Sequence, residues 1–434
     1  MDKFAEIRVP IAHNNPSIKR KESKCVLCGK CKDVCAKLMG VAGFWKYDKE
    51  DIVCINCGQC ANFCPVGAIT EFDNTNEFLA AVNDPSKKVA VVVAPATRVS
   101  LGEEFGLPAG EFVVGKLAGA VKALGADFVF DVAFGADLTV MEEATELIAR
   151  LNSGLNLPLF TSCCPAWVKF VQTFYPQNAQ NLSTCKSPIA MQAAVLKNYY
   201  AHEFGVEPKN LVVVAITPCT AKKMEAKRED LKSIYGQETD IVLTVRELAR
   251  LIKTKNIDFD TLQNSQFDKP FDCSSGTGVM FGASGGVTQA VVRTAYYLTT
   301  GKNPPEELLN FKQVRGVKGI KTATIKLLNK DVNLCVVSGT SNARDVLNKL
   351  QARHYDFVEV MACPNGCVGG GGQPRQENNK KAVRTRGEKL FGFDKLAKTK
   401  SSYQNEEIAK IYGEYLGEPM SEKAIKLLHT TYNK

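Results

Sequence analysis

The chain has 434 residues, enough for two or three domains at roughly 100–200 residues each. Hydrophobic residues at 45% and charged residues at 23% exclude wholesale disorder. The longest apolar runs, 89–95 and 211–217, are strand-sized and far short of the roughly 18–20 residues of a membrane span. A formal charge of +9 would suit a polyanion, but only 19–24 and 380–386 are densely basic, so no nucleic-acid partner is expected. The opening residues lack the basic-then-apolar pattern of a signal peptide, which points to the cytoplasm.

Sixteen cysteines is a high count, and eight of them fall within the first 64 residues. In a reducing compartment such clustering reads as metal binding or catalysis, not as disulfides. Cys25, Cys28, Cys31 and Cys35 form C-x2-C-x2-C-x3-C, and Cys54, Cys57, Cys60 and Cys64 repeat it, with Pro65 following. This is the spacing of bacterial ferredoxins, where three close thiolates wrap one cubane and the fourth ligates the other. One [4Fe–4S] cluster is therefore assigned to Cys25, Cys28, Cys31 and Cys64, and a second to Cys54, Cys57, Cys60 and Cys35. The alternative is a pair of zinc sites, which two such runs in tandem disfavour. Thiolates held by metal would also remove several of the formal positive units.

Residues 73–88 pass from cysteine-rich loops to a polar helix. Strand-like apolar runs follow at 89–94, 128–134, 211–217, 333–338 and 357–361. Helical patterns lie between them at 115–124, 138–151, 188–200, 245–253, 287–297 and 342–350. Such alternation predicts parallel sheet in an α/β domain. Residues 405–434 read as two amphipathic helices broken near 417–419. The later cysteines sit where strands end: Thr161-Ser162-Cys163-Cys164-Pro165-Ala166-Trp167, Thr217-Pro218-Cys219-Thr220-Ala221-Lys222-Lys223, and Met361-Ala362-Cys363-Pro364-Asn365-Gly366-Cys367, running into 369–372. Ligands in open α/β sheets bind at the carboxyl ends of strands, so four of these thiols could hold a further cluster.

The segments TSCCPAW, TPCTAKKMEA and MACPNGCVGGGG resemble the three signature motifs of [FeFe]-hydrogenases, and the similarity extends over residues 20–434. The resemblance implies an α/β protein in three parts. These are a ferredoxin-like domain with two [4Fe–4S] clusters (1–82), a two-lobed catalytic domain with parallel sheets (83–400), and a helical segment like the family's small subunit (401–434). It further implies an H-cluster, a [4Fe–4S] cubane bridged to a diiron unit carrying CO, cyanide and an amine-containing dithiolate. The matched cubane ligands are Cys164, Cys219, Cys363 and Cys367, with Cys367 the bridge. Cys163 matches the proton-transfer cysteine. Glu143, Ser183, Glu146 and Arg150 match the proton path, although spacing alone would leave Glu143, Glu146 and Arg150 a solvated ion-pair stripe at i, i+3 and i+7. Lys222 matches a cyanide-binding lysine, with Glu225 placed to orient its loop. Pro95, Phe281 and Met361 match neighbours of the diiron pocket; each alone would be read as core packing.

Three positions depart from the better-known members: Thr217 stands for Met, Ile189 for Gln and Ala96 for Ser. Cys185, Cys273 and Cys335 take no role in this pattern. Cys185 is either a thiol near the relay or an inert buried one, and Cys335 reads as core. The histidines at 13, 202, 354 and 429 show no metal-ligand spacing, and no loop suggests a nucleotide or flavin. The implied activity is that of a ferredoxin hydrogenase: reversible hydrogen oxidation and proton reduction, with ferredoxin or a similar small carrier and dedicated maturation proteins as partners. Oxygen is expected to damage it. The alternatives are a hydrogenase-like iron–sulfur assembly factor without diiron chemistry, or a hydrogen sensor. Groups around a metal site tune its potential, so Thr217→Met is expected to shift the ratio of hydrogen oxidation to production severalfold. An unchanged ratio and electrochemical onset would remove the support for that expectation.

Overall fold

The computed structural model describes residues 4–43, 52–272, 274–375 and 380–432. Cys273 therefore lies outside the described residues. Each N-terminal cysteine run carries the same backbone device. Leu27 and Asn56, just before the second cysteine of each run, are left-handed (φ 54° and 60°), and so are the glycines just after it, Gly29 and Gly58 (φ 76° and 68°). Left-handed residues flanking a cysteine curl the loop about a point. Glycine adopts that conformation freely, whereas leucine does so at a steric cost usually met at functional sites. Short helices, Lys30–Asp33 and Gln59–Asn62, follow the two loops. An antiparallel ribbon of β1 (Ile18–Arg20) and β2 (Ile69–Glu71) ties the two ends of this region together.

The strands that follow are β3 (Lys88–Val93), β4 (Phe128–Asp131), β5 (Leu159–Phe160) and β6 (Leu211–Thr217). A small hairpin of β7 (Lys232–Ser233) and β8 (Gly236–Gln237) precedes β9 (Ile241–Thr244), β10 (Ile320–Leu327), β11 (Lys330–Ser338) and β12 (Phe357–Met361). One sheet has the order β4-β3-β6-β9 and is wholly parallel. Its strands are continuous apolar runs because both faces are covered. The other sheet has the order β10-β11-β12-β5, parallel except for the edge pair β10 and β11. Leu328 and Asn329, both with positive φ, make the two-residue turn of that hairpin.

The fold is the α/β arrangement the alternation predicts, with several differences in detail. The run at 128–134 stops being strand at Asp131, and a helix starts at Ala133; an apolar stretch does not distinguish a buried strand from a buried helix start. β9 is too short to stand out. β10 is an edge strand with lysines at 321 and 326 among its apolar residues, so its signal is weak. Helix Lys380–Leu396 is not foreseen, because its lysines and arginines read as a charge run. In the tail, helices Glu406–Ile411 and Glu422–Leu428 are separated by a turn at Gly417, whose φ is 87°. Among the described residues no helix is long and apolar enough to cross a membrane.

Helix Ala133–Ser153 is the element on which the two sheets meet. Phe134, Leu138 and Met141 pack into an apolar cluster with Phe130 and Val213 of the first sheet. Ala136, Val140, Ala144 and Leu147 pack into another with Leu334, Val336 and Phe357 of the second. Sixteen of its 21 residues are buried, including Glu142, Glu143, Glu146 and Arg150, so the charged stripe is not a solvated face. Helix Pro188–Val195 lies directly against it at Gly135, where a Cβ would stand 2.2 Å from the Pro188 carbonyl oxygen. Alanine favours helix over glycine by about 1 kcal/mol. Gly135→Ala is nevertheless expected to destabilise the chain by about 1–3 kcal/mol, since backbone must move to admit the methyl. Urea unfolding of the two proteins tests this; equal or greater stability in the variant would mean that the helix pair is not closely seated.

Candidate active site

The carboxyl ends of β3, β5, β6 and β12 converge, and the loops beyond them line a cavity of about 80 Å³. Pro95 and Ala96 enter it after β3, Thr217 ends β6, and Met361 ends β12. Ile189 and Phe281 complete the apolar part of the wall. All six neighbours expected from the resemblance thus face one space. Cys163, Cys164, Cys219 and Cys367 face it as well. Cys363 stands beside them, buried and close enough to interact electrostatically with Cys164, Cys219 and Cys367.

Burial dominates the chemistry of these thiols. It raises Cys163 and Cys363 well above the ordinary thiol range and pushes Cys219 up to about 12. Thiols this reluctant to ionise need a cation to become thiolates, and soft thiolates select iron–sulfur or similar metals, so the donor set fits a cluster. Cys164 has extra help: it caps the N-terminus of helix Pro165–Phe174, where the helix dipole favours negative charge. Among the described residues no three His, Cys, Asp or Glu side chains close on a single ion.

Lys222 contributes the positive charge of the wall. Its Nζ donates to Glu225 Oε2 at 2.7 Å and to the Cys163 carbonyl at 3.3 Å. Burial works against the ammonium, but Glu225 outweighs it and holds Lys222 above its usual range. Ser187 Oγ donates to the same Glu225 oxygen at 3.0 Å, which fixes the carboxylate.

From Cys163 a file of polar groups crosses the interior. Glu143 is fully buried, and neither carboxylate oxygen has a hydrogen-bond partner among the described residues. Burial, and then the charge of Glu146, raise it to about 8, and Cys163 feels its charge in turn. Glu146 is held on every side: Ser183 Oγ donates to Oε2 at 2.7 Å, Arg150 Nη2 to Oε1 at 2.6 Å, and the Thr184 amide to both oxygens at 3.2 Å. Arg150 also donates to the carbonyls of Leu182, at 2.9 Å, and Asn156, at 2.9 Å, and Asn156 is exposed. Cys185 is buried with its Sγ 3.9 Å from Glu146 Oε2, so it is at once core and beside the relay. Cys335 is core, in the middle of β11.

One part of this file is not legible in the sequence. Glu142, the neighbour of Glu143, accepts from Tyr412 Oη, from the Met420 amide at 2.8 Å and from His429 Nε2 at 3.0 Å. His429 Nδ1 meets Thr184 Oγ1 at 2.7 Å. The C-terminal tail thereby pins the loop that holds Glu146. A third carboxylate on the helix is a visible signal, but its partner lies 287 residues away.

The N-terminal cysteines enclose two further cavities. Cys25, Cys28, Cys31 and Cys64 line one of about 20 Å³, and Cys35, Cys54, Cys57 and Cys60 line one of about 30 Å³. The crossed grouping of the runs is thus present in space. The second cavity abuts the central site. Cys57 interacts electrostatically with Cys363, Gln59 Nε2 donates to the Gly369 carbonyl at 2.8 Å, and Thr220 Oγ1 donates to the Asn56 carbonyl at 2.7 Å. Gly371 is required here, because a Cβ would lie 2.1 Å from the Cys57 carbonyl oxygen.

Residues 87–371 match the C-terminal domain of the iron-only hydrogenase large subunit, residues 380–434 match the iron hydrogenase small subunit, and residues 53–70 match a 4Fe–4S binding domain. The chain belongs to the iron-only hydrogenase family. It is 40% identical over 439 residues to the NADP-reducing hydrogenase subunit HndD of Solidesulfovibrio fructosivorans, covering 96% of this chain and 75% of that one. It is 37% identical over 444 residues to iron hydrogenase 1 of Clostridium pasteurianum, covering 98% and 77%. A solved structure of apo [FeFe]-hydrogenase HydA1 from Chlamydomonas reinhardtii superposes with a TM-score of 0.74 at 39% identity, over 83% of this chain and 99% of that one. The family also reaches the cytosolic Fe–S cluster assembly factor narfl of Danio rerio, 30% identical over 371 residues and covering 81% and 88%.

An unfolded glutamate ionises near 4.5, whereas folded Glu143 stays protonated up to about 8. Between those values the folded state binds more protons, so this group's contribution to stability falls as pH rises through that window. Glu143→Gln removes the slope. Its unfolding midpoint is expected to gain on that of the unaltered protein from pH 5 to pH 8; a constant difference would show that Glu143 is already ionised in the fold.

Proposed function

We propose that the chain is a ferredoxin-linked [FeFe]-hydrogenase, catalysing H2 ⇌ 2H+ + 2e− in an anaerobic cytoplasm. The supporting observation is that a thiol-lined pocket and a buried carboxylate file share one residue, Cys163. Cys164, Cys219, Cys363 and Cys367 would hold the H-cluster, with Cys367 the bridging ligand. When bound, and once maturation proteins have supplied its diiron unit, that group provides the open iron and adjacent amine at which hydrogen is split. The remaining work falls to the chain's own side chains.

Cys163, held neutral by burial, passes a proton between the cavity and Glu143. Glu143, raised to about 8, can carry that proton near neutral pH, as a relay group must. Ser183 and Glu146 receive it, and Arg150 leads toward the surface at Asn156. Lys222 presents its ammonium to anionic ligands in the pocket, a charge-assisted contact. Pro95, Ala96, Thr217, Ile189, Phe281 and Met361 line the pocket and leave Lys222 as its charged donor. The set Cys35, Cys54, Cys57 and Cys60 and the set Cys25, Cys28, Cys31 and Cys64 would each hold a cubane, which would supply one-electron transfer to or from ferredoxin or a similar carrier.

Infrared spectroscopy of anaerobic protein made with maturation proteins, beside a known hydrogenase, tests this reading. CO and cyanide bands that change under hydrogen are expected. Their absence while the control shows them would leave cubanes alone, and the assembly-factor reading, supported by the narfl relatives, would take over. In protein showing the bands, Cys163→Ala and Glu143→Gln are each expected to lower turnover at least about 100-fold without removing the bands. Turnover within a few fold of the unaltered enzyme would exclude this proton path.

A further inference from the structure

The two N-terminal thiol cavities differ in the charge of their walls. The cavity of Cys25, Cys28, Cys31 and Cys64 includes Arg8 and Arg20. Both side chains are buried, at 7% and 5% exposure. Arg20 ends β1 and donates to the Val9 carbonyl, while Arg8 Nη1 donates to Glu22 Oε2 at 2.6 Å. Glu22 also lies 3.9 Å from Arg20, but its side chain is 65% exposed, so water screens much of its charge.

The cavity of Cys35, Cys54, Cys57 and Cys60 is walled by Val9, Ile18, Met39, Val41 and Ile55, and no charged side chain lines it among the described residues. Cys57 and Cys60 are buried there, whereas Cys28 of the first set is exposed. Cluster potentials respond to charge, to hydrogen bonds to sulfur and to solvent exposure. Adding an electron to a thiolate-bound cubane adds one negative charge. Guanidinium groups and water at the outer site favour that state, and an apolar wall at the inner site disfavours it.

We propose that Arg8 and Arg20 set the outer cluster at a higher reduction potential than the inner one, which makes it the electron reservoir of the chain. An electron accepted from a small carrier reduces the outer cluster by one unit and must climb to reach the inner one. Electrons released by hydrogen oxidation run down to the outer cluster and wait there for the carrier. This rests on the reading that both thiol sets carry cubanes.

Potentiometric titration of the anaerobic, cubane-loaded chain, followed by electron paramagnetic resonance, reads the two steps directly. Two separated one-electron steps are expected. Arg8→Gln and Arg20→Gln should each lower the upper step by about tenfold in the reduction equilibrium, about 59 mV, and move the lower step by less, Arg20 also reaching Cys60 of the inner set. Glu22→Gln, a change at a side chain 65% exposed, should move the upper step the other way, by less than either arginine variant because water screens much of that charge. An upper step that does not respond, or that moves no further than the lower one, overturns the proposal. If either arginine variant loses its cluster, the sign of the Glu22→Gln shift decides. A chain that takes up no reducible cubane overturns the functional reading itself, and this inference with it.

Discussion

A thiolate cannot be buried without a cation beside it. That constraint organises the molecule. The central pocket gathers four cysteines from three separate strand ends, and burial alone leaves them as neutral thiols. Bound metal would reverse this, and its binding energy would then count toward the fold, because the unfolded chain has no such site. Cys164 at a helix N-terminus and Lys222 in the wall are the chain's own contribution to offsetting negative charge.

The same low-polarity interior that raises the thiols raises Glu143. Its oxygens have no hydrogen-bond partner among the described residues, while Glu146, three residues along the same helix, is held by Ser183, Thr184 and Arg150. Two carboxylates of one stripe thereby meet different surroundings, and burial with the charge of Glu146 raises Glu143 to about 8. The proposed relay would use that difference: a group that keeps its proton near neutrality beside one held by fixed donors and a guanidinium. The C-terminal tail takes part through His429 and Glu142, which brace the loop carrying Ser183 and Thr184.

Much of the site could be read from the sequence because its chemistry is local. Cysteine spacing encodes loop curvature, and the crossed sets of the two runs line two separate cavities. Strands 211–217 and 357–361 were legible because buried parallel strands are unbroken apolar runs. β10 and β9 were not, the first for its polar alternation at an edge and the second for its brevity. Whether Glu143, Glu146 and Arg150 face solvent or core could not be decided from spacing, since a buried relay and an exposed ion-pair stripe share the same helical period. The motif resemblance favoured the buried reading, and burial by the neighbouring helices agrees with it. The bracing by His429 was illegible for a different reason: it joins residues far apart in sequence, and no local pattern encodes such a pair.

In the proposed reaction electrons and protons leave the central pocket by different routes, and the sequence Cys163–Cys164 would stand where they divide. Cys164 has an extended backbone, with φ −99° and ψ 103°, just before its helix begins. Both thiols face the central cavity. Cys164 lies with Cys219, Cys363 and Cys367, next to the loops that contact Cys57, while Cys163 feels the charge of Glu143 as well as that of Cys164 and Cys367. Under the proposed function this dipeptide would serve both a cluster and a proton path. On that reading a single cysteine here could serve only one of them, so the doubled cysteine would be the feature of the chain that couples the two flows.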